Sequence, residues 1–244
     1  ASDVYKRQVI TFAAFVILFM APGNDVRVAS EIATWMPGYK ELSVGNHLFM
    51  TIQWMLSSFA NEGKAFFIAI WAAGFLLLVK SKKAKVYQSL AVVFSVVALL
   101  PYAGISFFSE MGIGYIDIEQ CLTELPTWQT MTTQNRIAFF WWIAAVLFTL
   151  VLLWKVTGHS VFISMAFLGG IASEAVLHFS PTIYASGARV YYLTDLMYLF
   201  IILWMVMRMD SEKKKNLFIA GAAALGIINL SLIHISEPTR PISI

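Results

Sequence analysis

Four ionisable side chains crowd one otherwise apolar stretch, residues 172–198 (ASEAVLHFSPTIYASGARVYYLTDLMY): Glu174, His178, Arg189 and Asp195. Charged groups inside or just beneath a bilayer are costly, so each needs a partner or a task. Glu174 and His178 are four residues apart, on one face of a helix. Asp195 lies six residues past Arg189, close under the same turn. A carboxyl at that depth could act as a general base or stay neutral and tie two helices together. The plainer reading is the tie, for Glu174 and Asp195 and still more for His178, which can reach lipid headgroups. Arg189 heads a helix, where the dipole disfavours a cation. It therefore calls for an anion: Glu174, Asp195 or a bound phosphate.

A second set lies near the start, in APGNDVR (residues 21–27). Pro22 lacks an amide donor and Gly23 admits unusual dihedrals, so a helix stops there. Asn24, Asp25 and Arg27 are then presented at the membrane surface. They are either interfacial anchors or a site for a headgroup or phosphate, with Arg27 as the charged donor. In SPTIYASGAR (residues 180–189), Ser-Pro opens a turn and Tyr184 is suited to the membrane interface. No metal or cofactor site is expected. Cys121 is the sole cysteine, and His47, His159 and His178 are scattered. A glycine-rich phosphate loop, HExxH and GxSxG are all missing from the sequence.

The elements that must position these residues are apolar. Hydrophobic residues make up 59% and charged residues 13%, and the mean hydropathy is +0.73. Soluble domains carry about 25% charge, so the composition points to a membrane protein, and the small net charge gives no reason to expect nucleic acid. Seven spans are expected, at 9–21, 64–79, 86–108, 137–154, 160–179, 190–207 and 217–229, the first and last truncated. The fold class is thus all-α, a polytopic transmembrane helical bundle. Lys80, Lys82, Lys83, Lys85, Lys155, Arg208, Lys213, Lys214 and Lys215 fall in alternate loops, which the positive-inside rule assigns to the cytoplasm. The opposite loops carry Asp25, Glu31, Glu110 and Asp117. Between the first two spans, residues 46–60 are apolar yet interrupted by His47, Gln53, Ser57 and Ser58. They read as an interfacial or re-entrant helix lying on the outer surface, with a short span as the rival.

Both termini stand apart. Residues 230–235 can be encoded by CTG TCT CTT ATA CAC ATC, whose reverse complement encodes residues 3–8. The two tails, 1–8 and 230–244, resemble translated ends of a transposase sequencing adapter. A single transmembrane domain over 9–229, a fragment of a longer protein, is the expectation.

APGNDVR after an apolar helix, and FSPTIYASGAR between two later spans, resemble a family of bacterial polytopic membrane proteins with no assigned reaction. That family is similar to the GT-C glycosyltransferases, which move sugars from polyprenyl-phosphate carriers on the outer face. The resemblance covers nearly all of 9–229. It implies a bacterial inner-membrane protein of cell-envelope glycan or glycolipid assembly, using a polyprenyl-phosphate-linked sugar as donor. Asn24, Arg27, Tyr184 and Arg189 would lie near the lipid phosphate or acceptor. GT-C enzymes carry their catalytic carboxylate in an early outer loop, upstream of residue 9, so no residue here is catalytic by resemblance. The alternatives are a transporter or flippase whose polar path is lined by Glu174, His178, Arg189 and Asp195, and a non-catalytic membrane scaffold.

Overall fold

The computed structural model describes residues 23–61, 63–100, 128–158, 160–177 and 191–236, with isolated positions between 6 and 20. Eight α-helices and no strand occur among them: α1 (Asn24–Trp35), α2 (Val44–Asn61), α3 (Lys64–Leu78), α4 (Lys85–Leu99), α5 (Thr133–Val156), α6 (Val161–Leu177), α7 (Tyr192–Met207) and α8 (Glu212–Ser236). Short 3-10 turns precede α2 and α4.

The centre is α3, KAFFIAIWAAGFLLL, which carries no charge after Lys64. A helix apolar on every side has no face to offer water and belongs in the interior. It packs against α2, α4, α5, α7 and α8. Phe67, Ile70, Trp71 and Ala73 are fully buried. Rings interlock around it, with Phe67 5.6 Å from Trp142, Trp71 5.4 Å from Phe94, and Phe94 stacked 4.8 Å from Phe148. Such offset and edge-on pairs add to the area they bury. Two polar groups inside this core satisfy each other: Trp71 Nε1 donates to Thr149 Oγ1 at 2.8 Å, and Thr149 donates to the Ala145 carbonyl at 2.7 Å.

One glycine sets the spacing of α3 and α5. A Cβ on Gly74 would lie 2.7 Å from Leu152 Cδ2 and 3.1 Å from its Cγ, and Leu152 is itself fully buried. Gly74→Val should therefore cost about 1–3 kcal/mol through overpacking, read as a lower thermal midpoint in detergent. An unchanged midpoint would show that the two helices have room to part.

Contacts fix relative direction. Phe67, Trp71 and Gly74 meet Trp142, Thr149 and Leu152 in the same order, so α3 and α5 run parallel. Phe162 meets Phe200 while Ser173 meets Thr194, so α6 and α7 run antiparallel. The C-terminal ends of α3 and α7 share one end of the bundle, where Asp210 Oδ2 and Oδ1 take Lys80 at 2.7 Å and Lys214 at 2.9 Å. Hydrogen bonds from Lys80 first, then Lys214, hold the Asp210 carboxyl well below the usual carboxylate range.

The helix over 46–60 forms as α2, and its setting fits a re-entrant element or a broken span. Its axis is bent 69° from α3 across a short break, and Met50, Gln53, Leu56, Ser58 and Phe59 are buried against the bundle, leaving Val44 and Leu48 outside. Of its polar interruptions, Gln53 and Ser58 turn inward, and Ser58 meets a polar partner there. The seven-span count exceeds what the helices establish by length. Among the described residues, one helix alone is long and apolar enough to cross a membrane, Asn135–Val156, with mean hydropathy 2.4. The α2–α3 pair passes the same test jointly, while Lys85–Leu99, Val161–Val176 and Tyr192–Met207 are apolar but shorter. The expected spans at 86–108, 160–179 and 190–207 each continue into residues outside the described set. Residues 11, 14, 15, 18, 19 and 21 of the expected span at 9–21 also lie outside it.

Candidate functional site

The site is built where α2, α6 and α7 converge. Glu174 lies in the last turn of α6 and is 2% exposed. Its Oε2 accepts a hydrogen bond from Ser58 Oγ on α2 at 2.6 Å. Ser58 Oγ also lies 2.8 Å from the Met55 carbonyl, so one hydroxyl proton faces two acceptors. A buried carboxyl left without such contacts would be strongly destabilising. The bond therefore holds α2 to α6 across 116 residues of sequence.

The same end of α6 is bound to α7. Ser173 Oγ and Thr194 Oγ1 are 3.0 Å apart, and both hydroxyls lie within 3.0 Å of the Gly170 carbonyl. Close approach at Gly170 makes this possible: a Cβ there would come within 3.2 Å of the Tyr198 ring. Tyr198 follows Thr194 by one turn and is enclosed by Phe59, Phe66, Phe67 and Phe167. Its hydroxyl is buried and makes no hydrogen bond, and the same holds for Gln53 Oε1 on α2. Buried polar atoms without partners cost about 1–3 kcal/mol each, so they mark where a polar ligand atom would gain most.

The remaining candidates are dispersed. Asn24, Asp25 and Arg27 open α1, whose N-cap Gly23 has φ 90°, the left-handed conformation that glycine admits without strain. Asp25 stands in the first turn, where the helix dipole favours an anion. Arg27 Nε donates to Glu31 Oε1 at 2.8 Å, one turn on, with 78% of the arginine side chain exposed. Asp195 is half-buried in the first turn of α7, beside Thr194. His178, Tyr184 and Arg189 lie outside the described residues, and with them the anticipated ion pair of Arg189. Glu174 and Asp195 thus come to one helix junction, whereas Asn24, Asp25 and Arg27 belong to a separate helix.

Sequence reasoning missed Ser58, Ser173, Thr194 and Tyr198 as members of the site. A signal existed for Ser58, as an interruption of an apolar helix. Its partner could not be read from it. No group of three or more His, Cys, Asp or Glu side chains able to hold a metal occurs among the described residues.

Comparison with models of protein families finds none that matches this chain, and neither curated proteins nor solved structures give a match. The chemistry of the site therefore rests on its own geometry.

Proposed function

We propose that the chain is part of a multi-pass protein of a bacterial inner membrane, glycosyltransferase-like and acting on a lipid-linked anionic donor at its outer face. The observation that carries the membrane reading is the outside of the bundle. Val92 and Val96 on α4, Leu147 and Val151 on α5, Phe162 and Met165 on α6, and Leu199 and Leu203 on α7 are all exposed. Apolar surface on that scale has no place in water, and it is the surface that a helical bundle presents to lipid. Counting the bent α2–α3 pair as one crossing keeps the number of spans at seven.

The donor reading is supported by APGNDVR. Arg27 stands just past the apolar N-terminal stretch with most of its side chain exposed, so it can give charge-assisted hydrogen bonds to a phosphate. Glu174, buried and bonded to Ser58, serves as a tie between helices in this reading and not as the base for an acceptor in solution. The test is binding of a synthetic polyprenyl-phosphate hexose to the purified protein. Arg27→Ala should weaken binding by about tenfold, the loss of one good charge-assisted contact, with the thermal midpoint unchanged. Equal binding by both proteins would overturn the donor reading.

A second reading, a transporter or flippase, is favoured by the helix break. The 69° bend between α2 and α3 follows Ser58 by only a few residues, beside a buried carboxyl. Discontinuous helices at a polar centre are a mark of transport sites. Under that reading Glu174→Gln abolishes flux into proteoliposomes while leaving polyprenyl-phosphate binding intact.

A further inference from the structure

Away from Glu174, α3, α4 and α8 enclose an open groove of about 480 Å³. Its walls include Ile68 and Phe75 on α3, Val92 and Val96 on α4, and Leu217 and Gly221 on α8. Among the described residues Ser95 brings the one hydroxyl to its lining. An apolar cavity of about 150 Å³ already admits benzene, so this groove holds a much longer hydrocarbon. On α8 it runs from Leu217 to Leu225, roughly 12 Å at 1.5 Å per residue. That is close to one leaflet of a hydrocarbon core about 30 Å thick.

One end of the groove is basic. Leu76 on its wall is one turn from Lys80, and Leu217 is two residues from Lys215. Lys80, Lys82, Lys85, Lys213, Lys214 and Lys215 gather at this end, and among the described residues Asp210 and Glu212 balance them. Lys80 and Lys214 are taken by Asp210, and Lys215 by Glu212. Lys82, Lys85 and Lys213 are exposed and make no ion pair among the described residues. By the positive-inside rule this end faces the cytoplasm, and basic pockets there attract anionic lipid headgroups.

We propose that this groove is a binding site for an anionic phospholipid of the inner leaflet, with one acyl chain along α8 and its phosphate at Lys82, Lys85 and Lys213. The site rests on the membrane reading above and is independent of any sugar donor, which would bind at the opposite face. Charge complementarity selects the headgroup, and the groove's length and apolar lining select the chain. Gly221 is the natural probe of the chain half. A Cβ there meets nothing within 4 Å, so Gly221→Phe can fill the groove without a clash on the backbone.

The experiment reconstitutes the full chain in phosphatidylcholine vesicles with trace spin-labelled phosphatidylglycerol or spin-labelled phosphatidylcholine. The motionally restricted fraction of each is then measured. Phosphatidylglycerol should associate several-fold more strongly than phosphatidylcholine. The preference should vanish in Lys82→Gln/Lys85→Gln/Lys213→Gln, and Gly221→Phe should reduce association of phosphatidylglycerol. Equal association of the two lipids with the unaltered chain overturns the site while leaving the membrane reading intact. Undiminished association of phosphatidylglycerol with Gly221→Phe overturns the groove. Failure of the chain to float with vesicles would instead sink the membrane reading itself.

Discussion

Trp71→Ala is expected to destabilise the protein by about 3–5 kcal/mol, the range for emptying a buried tryptophan site. Trp71 is fully buried in the central helix and in ring contact with Phe67 and Phe94. It also donates to Thr149. Truncation removes the side chain that fills the space between α3, α4 and α5. Close packing prevents neighbours from collapsing fully into such a space. Trp71→Phe separates the contributions: it keeps much of the ring volume and loses the bond to Thr149, so it should cost clearly less. Reversible unfolding in mixed micelles reads both. If Trp71→Ala unfolds within about 1 kcal/mol of the unaltered chain, well below the usual cost of such a cavity, α3 is not the core helix.

Glu174→Ala is the second large effect, about 2–4 kcal/mol, combining a lost buried hydrogen bond with a cavity between α2 and α6. Ser58 keeps the Met55 carbonyl as an acceptor, so the loss falls mainly on the contact between helices. Glu174→Gln retains the volume and an oxygen that can accept from Ser58. It is expected to stay within about 1 kcal/mol, the net worth of an ordinary hydrogen bond. This pair of variants also divides the functional readings. A tie between helices tolerates Gln and suffers from Ala. A transport carboxyl loses flux with Gln even though the fold survives. Full flux with Gln would remove the transport reading, and a large loss of stability with Gln would contradict the hydrogen-bond arrangement described for Ser58.

The membrane reading changes how the exposed residues are understood. On a soluble protein, Val92, Leu147, Phe162 and Leu203 would be an aggregation liability. In lipid the same residues need no cover, and specificity passes to the small and polar contacts. Gly74 against Leu152, Gly170 against Tyr198, and the hydroxyls of Ser58, Ser173 and Thr194 are the contacts of this kind. Small residues that let backbones approach, with side-chain hydrogen bonds across helices, are the usual means of association where lipid is as apolar as the core.

Helix type and rough position were legible in the chain itself. Long apolar runs between basic loops can satisfy their backbone groups only as helices when the surroundings are apolar, and α3, α5, α6 and α7 lie where that argument places them. The importance of Glu174 was legible too, since an acidic residue in an apolar helix requires a partner. Its partner was not. Periodicity says that one face of α2 is interrupted by Gln53 and Ser58, but not whether that face meets water, headgroups or another helix. Likewise Gly74 reads as one small residue among several, until Leu152 is seen against it. Residues 24–35 read as part of a loop, because the helix they form is short and mixed in polarity. Local composition determined which long apolar segments are helical and where charge gathers, because those follow from the solvation of each segment alone. The tertiary structure decided which faces meet, because a buried hydrogen bond such as Ser58–Glu174 depends on two helices arriving together, and neither sequence segment contains the other's geometry.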